Sequence, residues 1–205
     1  MRFLDLKTKL QNIQPFSLND IKKYDPDFYS SRFTEWQKKG YILKVTKGFY
    51  TFSDLVLSEN TVFRIANEIY SPSYVSLESA LNQYNIIPEG VYSITSVTTK
   101  ETQILNSNLT TFSYKSIKND LFWGYVVEGS QIEKHKIASL EKALLDYFYF
   151  NKNLKTMDDI QSLRLNYDIL KSKLDIEIYQ NYLQIFKNLR VQKLSKILLK
   201  VIINA

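Results

Sequence analysis

Runs rich in β-branched and aromatic residues occupy only two stretches of this 205-residue chain, 41–52 and about 91–136, and helical periodicity fills the rest. That segregation predicts an α+β fold with an antiparallel sheet and a helical C-terminus. The first strand-forming stretch is self-contained. Tyr41-Ile42-Leu43-Lys44-Val45 and Phe49-Tyr50-Thr51-Phe52 flank a Thr46-Lys47-Gly48 turn, the pattern of a tight hairpin.

Three short helices precede the hairpin. Phe3, Leu4, Leu6 and Leu10 supply an apolar face for the first. Ser17, three positions ahead of Asp20, is a capping-box start for the second, with Leu18 and Ile21 inward. Asp25-Pro26-Asp27 marks a turn, because proline disfavours the helical conformation in the residue before it. The third helix is expected over 28–39 and stops at Gly40, which reaches left-handed φ/ψ without strain. Three helices and a hairpin in this order predict a winged helix-turn-helix over residues 1–55, with a larger α+β domain over 56–205.

At 100° per residue, Tyr29, Phe33 and Trp36 share the inner face of the third helix. The outer face carries Ser30, Ser31, Thr34, Gln37 and Lys38, with Arg32 and Lys39 on its flanks. Short hydrogen-bonding groups and cations suit base edges and phosphates in a major groove. Lys44, Lys47 and Tyr50 on the hairpin would meet the neighbouring backbone, where lysines displace condensed counterions. A solvated helix face accounts for each of these residues singly. Their joint placement on a helix-turn-helix with a lysine-bearing wing points to double-stranded DNA. Glu35 on the same face opposes phosphate unless something neutralises it.

Charge agrees with that placement. Net charge is +6, with ten Lys/Arg against six acids over 1–55, six against eight over 56–137, and eleven against seven over 138–205. Lys193, Lys196 and Lys200 fall on one face of the last helix and form a possible secondary DNA contact. The single histidine, His135, reads as a surface residue of a strand. With no cysteine, no glycine-rich phosphate loop and no set of nucleophile, base and orienting group, catalytic residues, metal ligands and cofactors are expected to be absent. The expectation is a non-enzyme. The N-terminal residues do not resemble a signal peptide and no apolar run is long enough to span a membrane, so a cytoplasmic protein is expected.

Beyond the linker, the sequence predicts a helix to Tyr70, a Ser71-Pro72-Ser73 break, and a short helix capped by Ser76. Strands follow from Val91 to Lys136, with an Asn106-Ser107-Asn108 hairpin turn. Helices are then expected over 140–150, 157–173 and 176–203, the last with a break near Asn188.

Several of these stretches resemble the AbiEi family of bacterial antitoxins. They are Ser73-Tyr74-Val75-Ser76-Leu77-Glu78-Ser79-Ala80-Leu81 with Ile87-Pro88-Glu89; Ile94-Thr95-Ser96-Val97-Thr98; Phe122-Trp123-Gly124-Tyr125; and Ile137-Ala138-Ser139-Leu140-Glu141-Lys142-Ala143-Leu144-Leu145-Asp146. Lys47-Gly48-Phe49-Tyr50 is similar to the wing tip that precedes this domain in the family. The resemblance covers roughly residues 15–150. It implies a transcriptional regulator of a toxin–antitoxin and phage-defence (abortive infection) system, which represses its own operon by binding inverted repeats in its promoter. It also implies that the C-terminal domain counteracts a nucleotidyltransferase-like toxin, without a stable complex in many members, and that the protein is a monomer that binds DNA cooperatively. Leu140 stands where the family often has proline. The alternative reading is a protein-interaction module with a vestigial helix-turn-helix, which a large exposed apolar patch on the C-terminal helices would favour.

Overall fold

The structure is a computed structural model that describes residues 2–88 and 92–204. Glu89 and Val91, expected in a family motif and at a strand start, lie outside the described residues. The chain folds as mixed α+β, with a mixed sheet and C-terminal helices.

The N-terminal unit contains α1 (Phe3–Leu10), β1 (Phe16–Ser17), α2 (Leu18–Lys22), α3 (Ser31–Lys38), β2 (Ile42–Thr46) and β3 (Phe49–Phe52). Leu6 and Leu10 of α1 are buried, whereas Leu4, expected on the same face, is 72% exposed. At 100° per residue Leu4 points about 160° away from Leu6, so it cannot share that face. The capping box of α2 forms: Ser17 N–H donates to Asp20 Oδ2 at 2.9 Å, and Asp20 N–H donates to Ser17 Oγ at 3.4 Å. β1 adds a third strand to the hairpin, in the antiparallel order β1-β3-β2.

α3 starts three residues later than expected. Phe28 and Tyr29 stay in the turn that follows Pro26, where Phe28 N–H bonds to the Asp25 carbonyl at 3.0 Å. Off the helix, the two rings exchange expected roles: Phe28 is buried with Phe33 and Trp36, and Tyr29 is 75% exposed. These rings, with Leu6, Leu10, Phe16, Ile21, Ile42 and Phe52, form the core of this unit. Gly40 ends the helix at φ +69°.

The second unit begins with α4 (Glu59–Ile69), whose first turn is capped when Thr61 N–H donates to Ser58 Oγ. Next come β4 (Ser73–Val75), α5 (Leu77–Gln83), β5 (Ser93–Thr98), β6 (Gln103–Asn106), β7 (Thr111–Ser116), β8 (Tyr125–Glu128) and β9 (His135–Ala138). The chain continues into α6 (Leu140–Phe150), α7 (Met157–Ser162), α8 (Tyr167–Lys173), α9 (Ile176–Phe186) and α10 (Leu189–Asn204). Strand order is β6-β7-β5-β4-β9-β8. The sheet is not antiparallel throughout, as expected from sequence: β5 and β7 pair in parallel, and so do β4 and β9. In both hairpins the outer strand is laid down first, and the returning strand slots inward beside an older one. Hairpin signals specify only the local pairing, so the parallel contacts they create were invisible.

Residues 157–173 form two helices rather than one, interrupted at Arg164, whose φ is +49°. The break expected near Asn188 lies at Lys187, with φ +47°. Ser76 occupies the start of α5 but does not cap it. Its hydroxyl serves Asp146, and Thr95 Oγ1 accepts the Ser79 N–H at 3.0 Å instead.

The two units share a hydrophobic cluster. Val45 of β2 is buried against Ile65, Ala66 and Ile69 of α4 and Phe112 and Tyr114 of β7, with Phe49 packed alongside. The Arg64 guanidinium also ties them, donating to the carbonyls of Asn12 and Ile132. Lys7 of α1 pairs with Asp54.

Candidate nucleic-acid interface

On α3, Ser31, Thr34 and Lys38 recur at helical spacing on the face opposite Phe33 and Trp36, and all three are exposed. Ser30 and Lys39 are exposed at its two ends. Gln37 is half-buried, and its Oε1 has no hydrogen-bond partner among the described residues. Glu35, the acid that opposed a phosphate contact, pairs with Lys39 at 2.6 Å across one helical turn. That hydrogen bond holds the Glu35 carboxyl below its ordinary range and the Lys39 ammonium above it. Near neutral pH the two charges cancel locally, leaving the face to Lys38 and the hydroxyls.

Arg32 is placed differently from the other candidates. Its guanidinium lies over the rings of Phe28 and Trp36, at 5.3 and 5.0 Å. This arrangement favours a packed, half-buried arginine, whose loss disturbs the core as well as any DNA contact.

The hairpin meets α3 through Tyr50. Its ring stacks on Phe33 with centroids 4.2 Å apart and an interplanar angle of 10°. Lys44 is the cross-strand partner of Tyr50, so that stacking places Lys44 beside α3. Lys44 and Lys47 are exposed, and no acid pairs with them among the described residues. Gly48 closes the turn at φ +86°. Ser30, Ser31, Thr34, Lys38, Lys44 and Lys47 thus remain open to a partner, while Arg32, Lys39 and Tyr50 are engaged within the unit.

The C-terminal basic residues divide in the same way. Lys193, Lys196 and Lys200 are exposed on α10, opposite the buried Leu194 and Leu198. Arg190 instead turns inward and donates to the carbonyls of Phe148, Tyr149 and Asn151, satisfying the end of α6.

Sequence reasoning missed one polar cluster. Lys142 and Asp146 pair within α6 with both side chains fully buried. Tyr74 and Ser76 hydroxyls each donate to Asp146 at 2.9 Å, and the Lys142 ammonium donates to Tyr74 at 2.9 Å. The rings of Tyr74, Trp123 and Phe186 surround that ammonium at 5.2–5.4 Å. Burial dominates both groups, pushing the Lys142 ammonium down and the Asp146 carboxyl up, and their mutual attraction opposes it. Gly124 leaves the space for this lysine: a Cβ there would lie 3.0 Å from Lys142 Cγ. The available signal was a Lys and an Asp four apart within the apolar run LEKALLDYFYF. Full enclosure makes the cluster a fixture of the fold, joining β4, α6, α9 and the loop that holds Trp123.

His135, expected at the surface, is 2% exposed and packs edge-on against Phe63 of α4. The strand alternation hid this, because the face carrying His135 is covered by α4 and flanking lysines do not report it. No protein-family model and no curated protein matches the chain. No helix among the described residues is long and apolar enough to cross a membrane.

Proposed function

We propose that the chain is a DNA-binding repressor with antitoxin function, of the kind found in the AbiEi family. In this reading the N-terminal unit is a winged helix-turn-helix. α3 enters the major groove of inverted repeats in the promoter of its own operon, and the β2–β3 hairpin is the wing on the adjacent backbone. The second unit counteracts a nucleotidyltransferase-like toxin, in the cytoplasm and without catalysis of its own. The observation that carries the reading is the exposed set of Ser31, Thr34 and Lys38 beside Lys44 and Lys47, with Glu35 drawn off by Lys39. A gel-shift with the DNA immediately upstream of the gene tests it. Preferential retardation over scrambled DNA, weakened by Lys38→Ala, is expected, and equal affinity for both DNAs would overturn it.

One observation supports the protein-interaction reading beside it. Ile178 and Ile185, seven apart on one face of α9, are 41% and 54% exposed, and Leu189 follows at 83%. That strip is suited to a direct contact with a protein partner. Co-purification with the product of the neighbouring open reading frame, lost on Ile185→Asp, would favour it over toxin neutralisation without a complex.

A further inference from the structure

Five buried side-chain polar atoms lack a hydrogen-bond partner among the described residues, and three of them belong to residues lining one cavity. They are Asn67 Nδ2, Ser73 Oγ and His135 Nε2. The cavity measures about 200 Å³ and lies where α4 ends beside the starts of β4 and β9. Ser73 and His135 are each 2% exposed. Buried polar groups are seldom left unpaired, so three around a single cavity point to a molecule that completes them.

The hydrogen bonds already made define what that molecule must offer. Asn67 Oδ1 accepts the Lys136 N–H at 2.5 Å, which leaves the amide nitrogen as a spare donor. His135 Nδ1 lies 3.0 Å from the Glu133 carbonyl. A carbonyl only accepts, so Nδ1 carries the hydrogen, and in that tautomer Nε2 is an acceptor. The Ser73 hydroxyl can donate. Lys134 also lines the cavity, near the carboxylate of Glu68, whereas the Lys136 ammonium lies over the Tyr125 ring, 5.6 Å from its centroid. A fitting ligand is therefore a small anion with several acceptor oxygens and one hydrogen to give.

We propose that this cavity binds inorganic phosphate. At neutral pH phosphate keeps at least one P–OH, which donates to His135 Nε2. Its other oxygens accept from Asn67 Nδ2 and Ser73 Oγ, and Lys134 offsets part of its charge. Sulfate has the same shape but no hydrogen at this pH, so it would set an oxygen against the Nε2 lone pair. A phosphate monoester, with its second pKa near 6, has lost most of its P–OH above pH 7. The site is independent of the DNA-binding reading, since none of its residues belongs to the N-terminal unit.

Isothermal titration of the full chain at pH 7.5 with phosphate, sulfate and glycerol 3-phosphate tests the proposal. Phosphate should bind saturably at one site, and the other two should bind more weakly by about tenfold or more, the loss of one charge-assisted hydrogen bond. Asn67→Asp keeps the acceptor for Lys136 N–H but replaces the donor with a charge, and should lose phosphate by a similar factor. Ser73→Ala, which removes a single hydroxyl, should weaken it less. Thermal unfolding in phosphate-free buffer confirms that each variant is folded, and Ser73→Ala carries the test should Asn67→Asp fail to fold. Three outcomes would overturn it: no saturable binding by the wild-type chain, sulfate binding as tightly as phosphate, or wild-type affinity in the variants, which would mean an adventitious ion only.

Discussion

Asp146→Asn probes the energetics of the buried ion pair, because the amide has nearly the same shape but loses the charge and replaces one of the two acceptor oxygens with an NH2. Lys142 then sits with its side chain wholly enclosed and no counter-charge. One way out is to fold with the lysine neutral. From an ordinary pKa of about 10.4, deprotonation at pH 7 costs roughly 3.4 units at about 1.36 kcal/mol each, so about 4.6 kcal/mol. The three surrounding rings and the Tyr74 hydroxyl soften the alternative of staying charged, so about 4.6 kcal/mol bounds the cost carried by the lysine, and the donor left without an acceptor oxygen adds to it. Removal of one partner from other buried pairs costs about 3–5 kcal/mol, the same range. Against a total stability of about 5–15 kcal/mol, the loss is large and easily measured by urea unfolding followed by circular dichroism. The pH dependence separates this cause from a simple packing defect. Asp146 supplies the influences that raise the Lys142 pKa, so without it burial pulls that pKa further down. The unfolded variant then binds a proton that the native variant does not, and stability rises with pH by up to about 1.36 kcal/mol per unit. The deficit relative to wild type should therefore shrink by up to about 2.7 kcal/mol between pH 7 and 9. A loss below about 1 kcal/mol at pH 7, or a deficit unchanged at pH 9, refutes the reasoning.

The interface makes its own predictions. Changing Lys38, Lys44 and Lys47 together to glutamine should lower the slope of log affinity against log salt by roughly two to three units, since each phosphate contact contributes about 0.9. A wild-type slope would remove all three from the DNA. The same change at Lys193, Lys196 and Lys200 should leave the slope at its wild-type value, because a solvated face opposite Leu194 and Leu198 accounts for them; a fall of two to three units would make α10 a second DNA contact. A chain beginning at residue 56 should rescue cells from the cognate toxin while failing to repress the promoter, and rescue that requires the N-terminal unit would contradict the division of labour.

Much of the fold was legible because local signals carried it. The Ser17/Asp20 box, the Gly40 stop, the Gly48 turn and the sharp start of α6 after Ser139 each act within a few residues, and all are where the sequence placed them. What escaped was decided by distant partners. The parallel pairing of β5 with β7 depends on which strand a returning hairpin meets. Ser76 gave up its cap to an aspartate seventy residues away, and His135 went inside because α4 lies across its strand. On the candidate interface, Ser31, Thr34 and Lys38 followed from helical spacing alone. The altered setting of Arg32 did not, because it depends on Phe28 taking the place that periodicity had given to Tyr29.

The boundary near residue 55 illustrates the difference between a change in composition and a separation in space. The sequence drops its aromatic run after Phe52 and passes through Ser53-Asp54 to a polar helix start at Ser58, which looks like a linker. Yet Val45, inside the hairpin, is 2% exposed because it packs on α4 and β7 of the second unit. Tyr50 and Phe49, adjacent on β3, face opposite sides of the pleated strand, and Val45 sits at the register shift between Lys44 and Thr46. Here one side carries Tyr50 to Phe33 and the other carries Val45 to Ile65 and Ala66. The hairpin is thus a shared wall, with α3 on one face and the second unit on the other. Its orientation relative to α3 is fixed by the Tyr50–Phe33 stack, and relative to the second unit by Val45, Phe49 and the Arg64 hydrogen bonds. In the repressor reading, a toxin or ligand that shifts α4 acts directly on the wing, with no long relay. The two units therefore meet through the packing of Val45 and Phe49 as well as through the residues after Phe52.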